Sequence, residues 1–312
     1  MTDSGPPPET FGFTQATDDF NRARGKAIIS KFTNIMNSRR DDLLSFHDVK
    51  EILKPNNQVY WGMKQVPIKL IVGSEGRYRD FNKGFHPRSE FLRARWERVD
   101  RANINDIPLP AIQLYEIGGA YFVRDGNHRV SVARSQGVEE IDAEVTSLSS
   151  EIAITSSMTT DDLREAVINL EKSIFYEKTN FEELTGDKEL NFTTTGRYDK
   201  IYEHILQHKY YQNQDSEEEI SFSDALVSWY KEIYSPIIKI INEQKIISNF
   251  PGKSPSDLYI WIVRHWDFLK KKYGDDYPIA DAAKNFCVRY GIQKKHFSNF
   301  FKLLMGKFQK QG

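Results

Sequence analysis

The densest run of side chains able to do chemistry is Tyr121-Phe-Val-Arg-Asp125-Gly-Asn-His-Arg129, continued by Val-Ser-Val-Ala133. An apolar segment of strand type passes through a short polar turn into a stretch of helical composition that opens on Asn127, His128 and Arg129. A helix beginning there leaves backbone N–H groups without partners and aims its positive dipole end at the turn, as an anion site requires. Gly126 lets a ligand approach the backbone, and Arg129 offers a planar fork to phosphate oxygens. His128 can donate at the same place, and Asp125 can orient a side chain or hold a divalent metal beside a phosphate. The same residues allow a purely structural reading, in which Asp125 caps the helix and Arg129 pairs with a neighbouring acid.

A second polar loop, Gly73-Ser74-Glu75-Gly76-Arg77, follows the apolar run Val66 to Val72, which reads as a strand. Small residues flank Glu75, so this carboxylate and Arg77 could stand beside the same phosphates as base and charge stabiliser. The plain alternative is a surface turn with solvated charges. From Arg77 to Arg101 there are eight basic residues against four acids, a local excess that suits a polyphosphate or a nucleic-acid backbone, or simply a solvated helix face.

The string Asp125-Gly-Asn-His-Arg129, set after a strand and opening a helix that ends Ala133-Arg-Ser-Gln-Gly137, resembles the ParB/sulfiredoxin superfamily. Ile71-Val-Gly-Ser-Glu-Gly-Arg77, Arg95-Trp96 and Leu109-Pro110 are similar to the ParB-like nuclease domain as it occurs in multidomain proteins. The likeness covers residues 61–147. It implies a nucleotide site for ATP or CTP with Mg²⁺, the triphosphate lying on the loop-to-helix turn. Gly126, Asn127, His128, Arg129 and Arg77 would then hold the nucleotide. Asp125 would serve the metal or the helix cap, and Glu75 the attacking group, for hydrolysis or phosphate transfer. Sulfiredoxins carry a catalytic cysteine immediately before the His-Arg pair; Asn127 stands there, so sulfinic-acid reduction is not expected. Chromosome-partitioning ParB proteins carry a glycine-glutamate-arginine-arginine version and a following helix-turn-helix domain. Neither has a clear counterpart here, so partitioning activity is not expected. Free-serine kinases share an Asp-Gly-His turn and an upstream glutamate base, to which Glu75 is nearest by position.

The elements needed to place these residues follow from pattern. Asp18 to Leu53 reads as a helix pair, the second starting at Asp41-Asp42, and Arg88 to Asn103 as a charged helix. Ala111–Ile117 and Ala120–Arg124 around Gly118-Gly119 give a hairpin, then comes a helix over His128–Gln136 and a short strand over Ile141–Val145. Beyond Thr146 the pattern is amphipathic helix throughout. The expected fold class is α+β: N-terminal helices over 1–60, a small mixed-sheet domain of ParB/sulfiredoxin type over 61–147, and an all-α domain over 148–312.

The whole chain of 312 residues balances 43 Lys+Arg against 44 Asp+Glu, so any nucleic-acid contact must be local. Arg95 is one candidate. Others are Lys294, Lys295 and Lys302, in the basic, aromatic-rich stretch 282–312, where Phe297, Phe300, Phe301 and Leu304 nevertheless space as an apolar helix stripe. One cysteine, Cys287, and the absence of a basic-then-apolar leader or a long apolar run point to a cytoplasmic protein without a membrane partner. His204 and His208, four apart, have zinc-ligand spacing but no third ligand, and read better as packing with Tyr202, Tyr210 and Tyr211. Three functions remain open: a nucleotide-binding protein, a DNA-binding regulator or nuclease, and an interaction scaffold with a vestigial pocket. Oligomerisation is also open.

Overall fold

The computed structural model describes residues 8–36, 41–214, 218–274 and 276–291. The chain divides into two compact units, Met1–Ala166 and Val167–Gly312. In the first, α1 (Pro8–Met36) precedes β1 (Leu44–Ser45), α2 (Phe46–Leu53), β2 (Gln58–Pro67), β3 (Ile71–Ser74), α3 (Arg93–Ile104), β4 (Ile112–Ile117), β5 (Ala120–Asp125), α4 (Asn127–Ser135) and β6 (Glu140–Leu148). Among the described residues the strands form one six-stranded mixed sheet in the order β1-β3-β5-β4-β6-β2. β1, β3 and β5 are mutually parallel, β4 returns antiparallel beside β5, and β2 closes the far edge antiparallel to β6. The fold class is therefore α+β, as expected, with an all-α unit after it.

Alternation along the strands sorts the two sheet faces. Ile112, Leu114, Val123, Ala143 and Val145 point to one side, packed with Phe81, Phe85 and Val130. Tyr115 and Phe122 point to the other, where Phe46 of α2 stacks on Tyr115 with ring centres 4.3 Å apart. α1, α3 and α4 are joined through Trp96, which is fully buried, meets Phe20 edge-on at 5.6 Å and donates to Ser131 Oγ at 2.8 Å. That clamp fixes the buried face of α3 against the middle of α4.

Several elements differ from the sequence reading. Leu44-Ser45 is a short strand, and α2 starts after it, because Ser45 rather than Asp41 or Asp42 caps the helix by accepting from the Asp48 amide. The run Val66–Val72 is not one strand: β2 ends at Pro67, a 3₁₀ turn covers Ile68–Leu70, and β3 begins at Ile71. β2 itself starts eight residues earlier than apolar composition indicates. Edge pairing to β6 holds Val59, Tyr60 and Met63 in extended form while leaving them exposed. The charged helix starts at Arg93, after a 3₁₀ turn capped by Ser89.

Asp100 of α3 is fully buried, accepting from Gln136 Nε2 at 2.6 Å, and its Oδ2 has no partner. Burial, and then the charge of Asp19, push its carboxyl up to about 6 against the Gln136 hydrogen bond. A folded-state value above the unfolded one favours the protonated form, so this stabilisation is complete below the unfolded value and fades as pH rises through about 6. Asp100→Asn, which stays neutral, is expected to be about 1–3 kcal/mol more stable than the parent at pH 7 and equal to it near pH 3.5. Urea denaturation at the two pH values checks this.

In the second unit α7 (Arg197–Asn213), α8 (Phe222–Trp229), α9 (Ser235–Glu243), α10 (Pro255–Tyr273) and α11 (Ile279–Tyr290) enclose a core built on Trp229, Tyr198, Tyr259 and Phe181. α5 (Thr160–Thr179) and the short α6 (Phe181–Thr185) precede them. His204 meets Tyr259 Oη at 3.1 Å and His208 meets Ser228 Oγ at 2.9 Å, so both rings belong to helix packing, whereas Tyr210 and Tyr211 are exposed. Among the described residues no group of His, Cys, Asp and Glu could hold a metal by itself, and no helix is long and apolar enough to cross a membrane.

Candidate anion site at the start of helix α4

Parallel pairing of β3 with β5 brings two loops to the same end of the sheet. Ser74 lies opposite Val123, so the Glu75–Arg77 loop leaves β3 beside the Asp125–Asn127 turn that leaves β5. The carboxyl ends of parallel strands are where open α/β sheets place ligands. The two loops are also tied together: the Glu75 amide donates to the Val123 carbonyl at 2.9 Å, Ser74 Oγ donates to the same carbonyl at 3.1 Å, and the Arg77 amide donates to Ser74 Oγ at 3.3 Å. Gly73 permits this closeness, since a Cβ there would lie 2.3 Å from the Leu44 carbonyl oxygen and 2.5 Å from the Phe122 ring.

Gly126 is the N-cap of α4, with φ of 106°, and no side chain caps the helix. Asp125 therefore does not act as a cap, and no side chain bonds the first amides of α4. Instead Arg129 donates to the Asp125 carboxylate, to the Pro110 carbonyl, and to the Ala111 carbonyl at 3.0 Å. The ion pair of the structural reading is thus present for Arg129. The Asp125 side chain remains 60% exposed, and among the described residues its second oxygen has no protein partner.

Asn127 and His128 make the site unusual. They are 7% and 4% exposed, yet Asn127 Oδ1 and both ring nitrogens of His128 lack hydrogen-bond partners. Buried polar atoms are otherwise satisfied nearly everywhere in proteins, and each orphan costs about 1–3 kcal/mol. His128 packs edge-on against Phe81 at 5.4 Å, and burial pushes its imidazole down to about 4. Next in weight come the positive charges of Arg95, Arg77 and Arg98, which also favour the neutral imidazole.

The basic stretch divides cleanly. Arg77 pairs with Asp80, Arg88 with Asp42, Arg93 with Glu90 and Glu97, and Arg101 with Glu97. Among the described residues Arg79, Lys83, Arg95 and Arg98 form no such pair. Arg95 and Arg98 lie three apart, hence on one face of α3. Arg98 was not singled out from sequence; its spacing from Arg95 was the available signal. Glu75 is half-buried beside the turn, and its carboxylate makes no hydrogen bond or ion pair among the described residues. Lys294, Lys295 and Lys302 lie outside the described residues.

Fold and site together define an α+β protein in which two loops meet beside the start of α4, followed by an all-α unit. No family model matches the sequence, and no curated protein does. Among solved structures, a Pnob8-like ParB-N domain in a C2221 crystal form aligns with 81% of this chain and 98% of its own at 15% identity, with a TM-score of 0.21. At that score the superposition says nothing about function.

Proposed function

We propose that the first unit binds a nucleoside triphosphate, ATP or CTP with Mg²⁺, with its phosphates on the β5–α4 turn, and that it hydrolyses the nucleotide or transfers its phosphate. The observation that carries the reading is buried His128, whose ring nitrogens have no protein partner and whose imidazole feels the charges of Arg95, Arg77 and Arg98. A phosphate oxygen set there meets the open amides of α4, a neutral imidazole able to donate, and the guanidinium groups of Arg77, Arg95 and Arg98.

Arg129 acts through position: engaged with Asp125 and two carbonyls, it fixes the turn. The free oxygen of Asp125 suits a Mg²⁺ that takes one protein carboxylate and the remaining ligands from phosphate and water. When bound, that ion supplies charge neutralisation across the phosphates. Glu75 would accept the proton of the attacking hydroxyl or water.

Thermal-shift titration with ATP, CTP, GTP and ADP, with and without Mg²⁺, tests binding, because a ligand specific to the folded state raises the melting temperature by mass action. A Mg²⁺-dependent rise with ATP or CTP is expected; no rise with any nucleotide abandons the reading. Glu75→Gln should then keep the shift and lose phosphate release. A second reading, a DNA-binding regulator or ParB-like nuclease, is favoured by the four unpaired cations between Arg79 and Arg98. DNA affinity would fall steeply with salt, whereas compact nucleotide–Mg²⁺ binding would not share that slope.

A further inference from the structure

A cavity of about 450 Å³ opens elsewhere in the first unit, between the β1–α2 junction, the loop after β3 and the segment entering α5. None of its lining residues belongs to the β5–α4 turn or to the arginine face of α3. Its volume falls in the range of small-molecule sites, ~300–1,000 Å³.

Charge is distributed unevenly along its wall. Arg88 and Asp42 line it but neutralise one another at 2.7 Å, and Arg88 also donates to the Asp41 carbonyl. Arg79 and Lys83 line it too, without a carboxylate partner among the described residues. The main chain of Lys83 is held at both ends, its amide donating to the Asp41 carbonyl at 3.0 Å and its carbonyl accepting from Arg134 at 3.2 Å. The ammonium thus stands on a fixed stem, in no direct ion pair among the described residues, with Asp162 the acid that feels its charge. Arg79 rests over the Tyr78 ring, 5.5 Å from its centre.

Opposite in character are Asp48, whose carboxylate is in no ion pair, and the hydroxyls of Ser45 and Thr160. Ser45 is 5% exposed and its oxygen already accepts from the Asp48 amide at 3.3 Å, which leaves its hydroxyl proton to be given. A guest must accordingly be anionic at one end only, since Asp48 would repel a second negative group. At its other end it must bring hydroxyls that a carboxylate and hydroxyls can bond.

We propose that this cavity binds a phosphate monoester of a polyhydroxylated molecule, a sugar phosphate in size and chemistry, with the phosphate on Arg79 and Lys83 and the hydroxyls on Asp48 and Ser45. Two cations of different type suit a phosphate dianion, the planar fork of Arg79 and the point charge of Lys83 sharing its oxygens. This site stands apart from the nucleotide reading and survives its failure.

The test is isothermal titration of the full chain with ribose 5-phosphate, orthophosphate and ribose as separate probes, together with variants whose folding is verified by circular dichroism. Ribose 5-phosphate should bind, orthophosphate bind more weakly, and ribose not bind. Lys83→Ala and Arg79→Ala should each weaken ribose 5-phosphate at least tenfold. Asp48→Asn should weaken ribose 5-phosphate several-fold and leave orthophosphate unchanged or tighter. Arg98→Ala, which weakens any phosphate held at the α4 turn, should leave the ribose 5-phosphate affinity of this cavity unchanged. Should an alanine variant fail to fold, Lys83→Gln and Arg79→Gln give the same readout. The proposal is overturned by no binding of ribose 5-phosphate, by binding insensitive to the Lys83 and Arg79 variants, or by loss of binding in Arg98→Ala, which would assign the ligand to the other site.

Discussion

Replacing Arg95 and Arg98 together by alanine is expected to weaken ATP–Mg²⁺ or CTP–Mg²⁺ binding by roughly 10²–10⁴-fold while leaving the fold intact. Hydrogen bonds to charged groups contribute about 1.5–3 kcal/mol each, so two of them amount to about 3–6 kcal/mol, with about 1.4 kcal/mol per tenfold change. Both side chains are exposed and pair with no acid among the described residues, which sets the expectation at the lower end of that range. Exposure also protects stability: without packing or ion-pair loss, the change in unfolding free energy should stay within about 0.5 kcal/mol. Titration calorimetry of the double variant beside the parent decides the matter. Undiminished affinity would remove these arginines from the site and with them most of its positive charge.

The consequence for His128 runs in the opposite direction and gives an independent reading. Burial depresses its basicity first, and the charges of Arg95, Arg77 and Arg98 depress it further. Removing two of the three should let the imidazole titrate nearer its ordinary value, while burial keeps it below. In nuclear magnetic resonance titrations the His128 ring should therefore protonate at a higher pH in the double variant than in the parent. An unchanged titration would mean that the arginines do not face the ring. The same logic predicts that a bound phosphate raises the His128 value, because an anion replaces cations as the nearest charge.

How far this arrangement could be read from the chain differs from residue to residue. The hairpin was legible because Gly118-Gly119 sits between two apolar runs, and the β5–α4 turn because Asp125-Gly-Asn separates a strand from a helix. Local chemistry sufficed in both cases. β2 was not legible: Val59, Tyr60, Trp61 and Met63 are largely exposed, the strand bulges between Tyr60 and Gly62, and only pairing with β6 holds it extended. The start of α2 was misplaced because acids suit any helix beginning, although Ser45 with Asp48 three residues later was the better signal. In the site, the types and order of Asp125 to Arg129 were plain. The burial of Asn127 and His128 and the hold of Arg129 on two carbonyls were not, because they depend on Phe81, Pro110 and Ala111, which are remote in sequence. The basic stretch showed its charge but not which cations find partners, since Asp42, which pairs with Arg88, lies 46 residues away.

Gly126→Ala should cost about 2–5 kcal/mol of stability. Two causes combine. At φ of 106° an alanine is strained by about 1–2 kcal/mol whatever the surroundings, and its Cβ would stand 2.5 Å from Ile112 Cγ2 and 2.9 Å from Ile112 Cβ, an overpacking that costs about 1–3 kcal/mol more. Ile112 is 1% exposed and belongs to the sheet core, so it has little room to retreat. A double-mutant cycle separates the causes. Ile112→Ala by itself should destabilise by about 2–5 kcal/mol through the cavity it leaves. In the pair, part of that cavity accepts the new methyl group, so the combined loss should fall short of the sum by about 1–3 kcal/mol, leaving the backbone strain as the remainder. Strict additivity in urea denaturation would show that Ile112 does not press on this position. The same substitution bears on the proposed site, because Gly126 at φ of 106° sets the turn into α4: any fraction of Gly126→Ala that folds should have lost its affinity for phosphate along with that geometry.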